Sequence, residues 1–248
     1  MNAETRERMN ILGVLLDQTD YQKAYRQAER FLDSSGNKVI VTPNAEIIMA
    51  AQKNPELRAA LNSADLCLPD GIGVVIASKI LGKPLAERTT GFDFMMKLLE
   101  LANKKSLSLF LLGGKPEVAE KAGEKICSMF PNVEIVGCHD GYFGENEEIE
   151  VVNLINHTKP DILLVAMGCP KQEIFMIKNK NKMQFKIAMG VGGSFDVLSG
   201  NVQRAPQFVQ NIGLEWLYRL IMQPSRLKRV GALPAFLVKV ISHRTINN

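Results

Sequence analysis

The stretch Leu107-Ser-Leu-Phe-Leu-Leu-Gly-Gly-Lys-Pro-Glu117 decides the fold. Its first six residues are almost all apolar, which is typical of a β-strand that is buried on both faces. Two glycines end the run, and Pro116 follows where proline favours the first turn of a helix. The stretch therefore predicts a strand, a tight turn and a helix.

The same alternation extends along the chain in both directions. Strands are predicted at 38–42, 66–68, 107–112, 133–137, 161–166 and 186–190. Helices are predicted at 21–32, 43–51, 55–63, 73–81, 92–103, 116–130, 147–157 and 170–180. This pattern predicts an α/β fold with a Rossmann-like open, mainly parallel sheet and helices on both faces. Residues 1–205 are predicted to form that core, and 206–248 a helical, basic C-terminal appendage.

Composition and charge narrow the class of protein. The chain has 248 residues, of which 46% are hydrophobic and 23% charged, and this excludes a disordered chain, a collagen and a coiled coil. No apolar run approaches the ~18–20 residues of a membrane span, and the N-terminus lacks a signal-peptide pattern, so we expect a cytoplasmic protein. The net charge is +4, but residues 216–248 hold six Lys and Arg and no acidic residue, which leaves −2 for 1–215. The basic end predicts an anionic partner.

No metal site or disulfide is indicated. The four cysteines, Cys67, Cys127, Cys138 and Cys169, have no C-x-x-C spacing, and we interpret them as reduced, buried thiols. The three histidines form no metal-binding motif, and no D-x-D occurs. If the substrate is a nucleotide diphosphate, arginines must neutralise it in place of a cation.

In an open α/β sheet, ligands bind at the carboxyl ends of the strands. Gly113-Gly114 and Gly190-x-Gly192-Gly193 follow strands there and fit a phosphate cradle or a tight turn, and neither matches G-x-G-x-x-G. Asp70 fits a catalytic carboxylate or a turn residue. The remaining candidates could instead have purely structural roles. Asn44 could be an N-cap, Thr42 a strand end, and Lys171-Gln172-Glu173 a solvated helical turn.

Five of these segments together resemble the WecG/TagA/CpsF glycosyltransferases. They are Thr42-Pro-Asn44, Pro69-Asp-Gly-Ile-Gly73, Gly168-Cys-Pro-Lys-Gln-Glu173, Gly190-Val-Gly-Gly-Ser-Phe-Asp196, and Arg204-Ala-Pro206 followed by Gly213-Leu-Glu-Trp-Leu-Tyr-Arg219. The likeness covers roughly residues 10–245. Cys169 is a small departure, because the family commonly has Ala or Ser at that place.

The resemblance implies an inverting, metal-independent transferase without a cofactor. N-acetylmannosamine would pass from UDP-ManNAc to the 4-hydroxyl of GlcNAc on undecaprenyl diphosphate, in a β-1,4 linkage. The appendage would bind the anionic inner face of the cell membrane, and the chain would self-associate. Asp70 would be the general base. Thr42 and Asn44 would hold a sugar, and the diphosphate would be bound by Arg219, Arg226 and Arg229. The remaining substrate-binding candidates are Gly71, Gly113, Gly114, Gln172, Gly190, Gly192, Gly193 and Asp196.

Other functions stay open at this point. A same-family transferase could use another donor, such as UDP-ManNAcA. A nucleotide-dependent oxidoreductase is disfavoured because G-x-G-x-x-G is absent. A nucleic-acid-binding module is disfavoured because the basic end alternates with aliphatic residues and the chain has one Trp and four Tyr, so we expect no nucleic acid partner.

Overall fold

The computed structural model describes residues 6–85, 89–211, 215, 217–218 and 232–247. The described strands are β1 (Arg8–Ile11), β2 (Val14–Asp17), β3 (Lys38–Val41), β4 (Leu66–Cys67), β5 (Ser108–Gly113), β6 (Glu134–His139), β7 (Ile162–Ala166) and β8 (Ile187–Gly190). Strands β3 to β8 form one parallel sheet in the order β4-β3-β8-β7-β5-β6, and β1 and β2 form a separate antiparallel hairpin. The predicted fold class is confirmed.

Helices cover both faces of this sheet. The described helices are α1 (Tyr21–Asp33), α2 (Ala45–Ala51), α3 (Pro55–Ser63), α4 (Ile72–Ile80), α5 (Gly91–Lys105), α6 (Val118–Met129), α7 (Glu145–Thr158), α8 (Lys171–Asn179), α9 (Ser194–Leu198), α10 (Gln207–Asn211) and α11 (Ala232–Asn247). Helices α1, α5, α6 and α9 contribute to one apolar core. Helices α2, α3, α4, α7, α8 and α11 contribute to the other.

Strand β5 shows why the apolar runs are continuous. Leu109 and Leu111 point into one core, while Phe110 and Leu112 point into the other, and all four side chains are fully buried. Since neighbouring strand residues face opposite sides, a sheet covered on both sides requires apolar residues at every position.

Two local differences from the sequence prediction have backbone causes. Helix α6 begins at Val118 and not at Pro116, because Gly114 and Glu117 have φ values of +77° and +68°, which are not helical. The hairpin β1–β2 was not predicted. Its turn is Leu12-Gly13 with φ values of +50° and +83°, and leucine is not a residue that signals such a turn.

Asp17, at the end of the hairpin, anchors it to the edge of the sheet. The carboxylate is 3% exposed and accepts hydrogen bonds from Arg6 Nε at 2.5 Å and Arg6 Nη2 at 2.6 Å. Arg8 Nε lies 3.6 Å away, and the backbone N–H of Cys67 in β4 donates to Asp17 Oδ2 at 2.7 Å. One buried side chain therefore joins two arginines and an edge strand.

We expect Asp17→Ala to lower the free energy of unfolding by about 1–3 kcal/mol, because it leaves the buried N–H of Cys67 without an acceptor and two partly exposed arginines without their counter-charge. Urea unfolding measures the change. Asp33→Ala is the matched control, since Asp33 is exposed and pairs with Lys105 at 3.4 Å, and such surface pairs contribute about 0–1 kcal/mol. Equal losses in the two variants would contradict the anchoring role.

The cysteines correct one part of the sequence interpretation. None of the four forms a disulfide, but Cys127 and Cys169 are exposed, and of the four only Cys67 is fully buried. Burial raises the pKa of Cys67, with a smaller contribution from the Asp17 carboxylate, and burial raises the pKa of Cys138 to about 11. The buried thiols are therefore poor nucleophiles.

Helix α11 packs on the body through α2 and α4. Phe236 and Val240 are buried in the core, and Leu233 lies so close to Gly73 of α4 that a Cβ at residue 73 would clash with it. The opposite side of the helix leaves Val238 and Ile241 more than half exposed. Within the described residues, no helix is long and apolar enough to cross a membrane. The division at residues 205 and 206 stays a prediction.

Candidate functional site

The site candidates that the structure describes gather at the carboxyl ends of the parallel strands. Strands β4, β3, β8, β7 and β5 lie side by side, so the loops that follow them share one edge of the sheet. Gly113 and Gly190 are the last residues of β5 and β8, the loops hold Thr42, Asn44, Asp70, Gly71, Gly114, Gly192 and Gly193, and Gln172 and Asp196 lie on the short helices that follow. The predicted arginines Arg219, Arg226 and Arg229 lie outside the described residues.

Asp70 lies at this edge beside Asn44. Its backbone N–H donates to the carbonyl oxygen of Pro43 at 3.2 Å, which ties the loop after β4 to the loop after β3. Gly71 has φ +82°, and a Cβ there would lie 3.9 Å from the Cβ of Asn44. The turn at Gly71 thus places the partly exposed Asp70 next to the loop that carries Asn44.

Asn44 is the N-cap of α2. Its Oδ1 accepts a hydrogen bond from the Ile47 N–H at 3.0 Å. The capping function, one alternative from the sequence, is therefore present. The capping hydrogen bond uses only the carbonyl oxygen of the side chain. It does not involve the amide N–H groups, which are the part of Asn44 suited to hold a sugar hydroxyl.

Thr42 faces the amino end of α5. A Cβ at residue 91 would lie 2.7 Å from Thr42 Oγ1, so glycine there allows the helix to begin against the end of β3. Thr90 caps α5, because its Oγ1 accepts the Asp93 N–H at 3.1 Å. The amino end of a 15-residue helix, with its partial positive charge, therefore borders the candidate site. No local sequence pattern indicates this feature.

Arg204 holds the first turn of α5. Its Nη2 lies 2.7 Å from Asp93 Oδ1, and its guanidinium carbon lies 4.4 Å from the centre of the Phe92 ring. The residue belongs to the motif Arg204-Ala-Pro206, whose sequence predicts no role for it. The structure shows that it fixes the helix end that meets Thr42.

Gln172 connects two loops of the edge. Its Oε1 accepts the N–H of Gly192 at 3.1 Å and lies 3.3 Å from the N–H of Gly168, while its Nε2 donates to Glu173 Oε1 at 2.7 Å. The side chain is 5% exposed, so the alternative of a solvated helical turn is wrong for Gln172. Its predicted donor contact stays a prediction.

Glu173 is also buried, and this too contradicts a solvated turn. The carboxyl group is 2% exposed, and Oε2 has no hydrogen bond to the described residues. Burial raises the pKa of Glu173, and the opposing contributions come from Gln172, its own backbone N–H and the Cys169 thiol, none of which is a cation.

Lys171 contacts the loop that follows β6. Its Nζ donates to the carbonyl oxygens of Gly141 at 2.9 Å and Phe143 at 3.1 Å, and lies 4.3 Å from the centre of the Phe143 ring. Tyr142, which lies between these two residues in the sequence, has an exposed side chain. The loop after β6 is therefore fastened to the start of α8.

The glycines after β5 serve close packing. A Cβ at Gly113 would clash with the backbone of Ala166, and the N–H of Gly114 donates to the Ala166 carbonyl oxygen at 3.0 Å. This geometry favours the tight-turn alternative, because the Gly114 N–H is already engaged. At the end of β8, Gly190 allows the side chain of Gln172 to cross it, since a Cβ would lie 2.8 Å from Gln172 Nε2.

The carboxyl edge of this open parallel sheet thus carries a carboxylate, a hydroxyl group, an amide and a helix amino end. In α/β enzymes, substrates bind at this edge. The model of the glycosyl transferase WecG/TagA/CpsF family matches residues 9–248, and the chain belongs to this family of transferases. The family resemblance drawn from the sequence motifs is confirmed, and it replaces the oxidoreductase alternative.

The chain is similar to curated proteins named N-acetylglucosaminyldiphosphoundecaprenol N-acetyl-beta-D-mannosaminyltransferase. It is 42% identical to the protein from Bacillus spizizenii and 39% identical to that from Bacillus subtilis, in both cases over 86% of this chain and 82% of the relative. It is 35% identical to one from Staphylococcus aureus, over 94% of this chain and 92% of the relative.

Proposed function

We propose that this transferase moves N-acetylmannosamine from UDP-ManNAc to the 4-hydroxyl of GlcNAc-diphospho-undecaprenol, with inversion to a β-1,4 linkage. The names of the relatives support the acceptor and the transferred sugar. The observation that carries the mechanism is the position of Asp70 at the carboxyl edge, next to the loop of Asn44.

Asp70 acts as the general base in this proposal. A sugar hydroxyl is a poor nucleophile until its proton is accepted, and a single displacement requires the base on the face opposite the leaving group. The 4-hydroxyl gives its proton to Asp70 while its oxygen bonds to the anomeric carbon of the donor. The bond from that carbon to the diphosphate breaks, and UDP leaves with the electron pair.

Positive charge near the diphosphate stabilises UDP as it leaves. Arg219, Arg226 and Arg229 are the proposed donors, and the amino end of α5 beside Thr42 adds a fixed partial charge. Thr42 and Asn44 hold a sugar by hydrogen bonds. The remaining candidates, Gly71, Gly190, Gly193 and Asp196, shape the substrate-binding edge.

We also propose that the C-terminal segment binds the anionic inner face of the cell membrane. Helix α11 exposes Val238, Lys239, Ile241 and Arg244, so apolar and cationic groups share its uncovered surface. This composition suits a helix that lies in a lipid interface. The self-association expected from the family resemblance stays a prediction.

The direct test is turnover of UDP-ManNAc with a short-chain GlcNAc-diphospholipid, in competition with UDP-GlcNAc and UDP-ManNAcA. We expect UDP release and a disaccharide lipid with UDP-ManNAc as the preferred donor. Preference for UDP-ManNAcA would reassign the donor. Release of UDP without lipid glycosylation would contradict the acceptor.

We expect activity to survive EDTA. The chain has no D-x-D, and in the part of it that the structure describes, no three His, Cys, Asp or Glu side chains group as metal ligands would. Turnover is measured after chelation and again after addition of Mg²⁺ or Mn²⁺. Strict dependence on either cation would contradict the proposal and would point to Asp70 and Asp196 as ligands.

A further inference from the structure

The buried Glu173 has no part in the mechanism above, yet its carboxyl group contacts Gln172, one of the candidate site residues. It is the third residue of α8, and a hydrogen bond of 2.7 Å joins its Oε1 to Nε2 of Gln172. An ionised carboxylate without a cationic partner is costly to bury. Burial raises the pKa of Glu173 for this reason, and its Oε1 accepts the hydrogen bond from Gln172.

This hydrogen bond determines which way the Gln172 amide faces. The amide has a carbonyl oxygen at one end and an NH2 group at the other, and only the oxygen can accept the N–H groups of Gly168 and Gly192. With Nε2 held by Glu173, the oxygen must point to these two glycines. Rotation of the amide by half a turn would bring donors against donors.

The orientation affects two loops at once. Gly168 follows β7 and Gly192 follows β8, and both have positive φ values, of +75° and +51°. One carbonyl oxygen thus ties together adjacent turns of the substrate-binding edge. Gly190 supports the arrangement, because any larger residue would meet the Gln172 side chain.

We propose that Glu173 is a positioning residue of the donor site, which orients the Gln172 amide and through it fixes the loops after β7 and β8. The proposal rests on the proposed function in one respect, since it takes the UDP-sugar as the ligand of these loops. Glu173 itself does not touch the donor.

A double-mutant cycle tests this assignment, with the Kd for UDP from calorimetry and the kinetic constants for UDP-ManNAc as readouts. E173M has a side chain of similar length but no carboxyl oxygen to accept the hydrogen bond. We expect it to raise the Kd for UDP and the KM for UDP-ManNAc about tenfold, which is the effect of losing one or two hydrogen bonds. The kcat should change less than about threefold. E173Q keeps an acceptor oxygen and is expected to restore the Kd to within about threefold of the wild type. In a Q172A background, E173M should change the Kd by less than about twofold, because the residue it acts through is gone.

Additive effects of E173M and Q172A would overturn the positioning role. If E173M does not fold, E173D replaces it, since the shorter acid cannot reach Gln172, and an unchanged Kd for UDP in E173D would also overturn the role.

Amide hydrogen exchange at residues 168 and 192 reports the same contacts without any ligand. Protection should fall in E173M and persist in E173Q, and equal protection in the wild type and both variants contradicts the inference. A wild-type chain that binds no UDP contradicts the proposed function instead.

Discussion

Asp70→Asn should reduce turnover by about 10²–10⁴-fold while UDP binds as tightly as before, because the substitution removes the base but keeps the shape of the side chain. The backbone contact of residue 70 with Pro43 does not involve the carboxylate and should survive. Turnover with the short-chain acceptor and calorimetry with UDP measure the two quantities on the same preparation.

Thr42→Ala is the control for this experiment. It removes one hydroxyl group at the same edge of the sheet, and the loss of one hydrogen bond corresponds to about 0.5–1.5 kcal/mol, or roughly a tenfold effect at most. Near-normal turnover of Asp70→Asn would remove Asp70 from the mechanism. An equally large loss in Thr42→Ala would show that any disturbance of this edge is sufficient.

Deletion of residues 219–248 should abolish both turnover and vesicle binding. The deletion removes the three predicted diphosphate ligands Arg219, Arg226 and Arg229, and it also removes Phe236 and Val240 from the core that α11 shares with α2 and α4. Sedimentation with anionic vesicles and turnover on a lipid-free acceptor separate these two functions.

Point variants then distinguish a catalytic role of the C-terminal appendage from membrane anchoring. Arg226→Ala and Arg229→Ala should each lower turnover about 10–10²-fold even on the lipid-free acceptor, since a hydrogen bond to a charged group contributes ~1.5–3 kcal/mol. Lys228→Ala is the matched control and should affect only vesicle binding, which fades with salt. If the arginine variants fail only on vesicles, the tail is an anchor, and the body must stabilise the leaving group.

The sheet could be predicted from the sequence because its inner strands β3, β5, β7 and β8 are almost entirely buried on both faces. Strand β5 illustrates this: its apolar run from Leu107 to Leu112 has no other stable environment in a domain of this size. The hairpin was missed because Leu12 occupies a turn position where asparagine or glycine is the usual signal. Helix α9 was not predicted, because its five residues directly follow Gly192-Gly193, which fit a phosphate cradle or a tight turn.

The location of the site could also be predicted, since parallel strands bring their carboxyl ends to one edge. The contacts within it could not, because they join residues that are distant in the chain. Thr42 faces Gly91, and Gln172 accepts from Gly192, and neither pair leaves a local pattern. A buried glutamate such as Glu173 looks like any exposed acid of a first helical turn until the packing around it is known.

The contact between Asp17 and Cys67 also bears on how chains of this protein behave together. Strand β4 ends the sheet, and the N–H of Leu68 donates to Val41 of β3, while the N–H of the preceding residue, Cys67, has its partner outside the sheet. Asp17 accepts that N–H, so the border of the sheet is closed by a carboxylate instead of a neighbouring chain. Edge strands with unpaired N–H and C=O groups can pair with other chains and promote aggregation. The hairpin thus occupies a hydrogen-bond donor at one edge of the sheet as well as stabilising the fold.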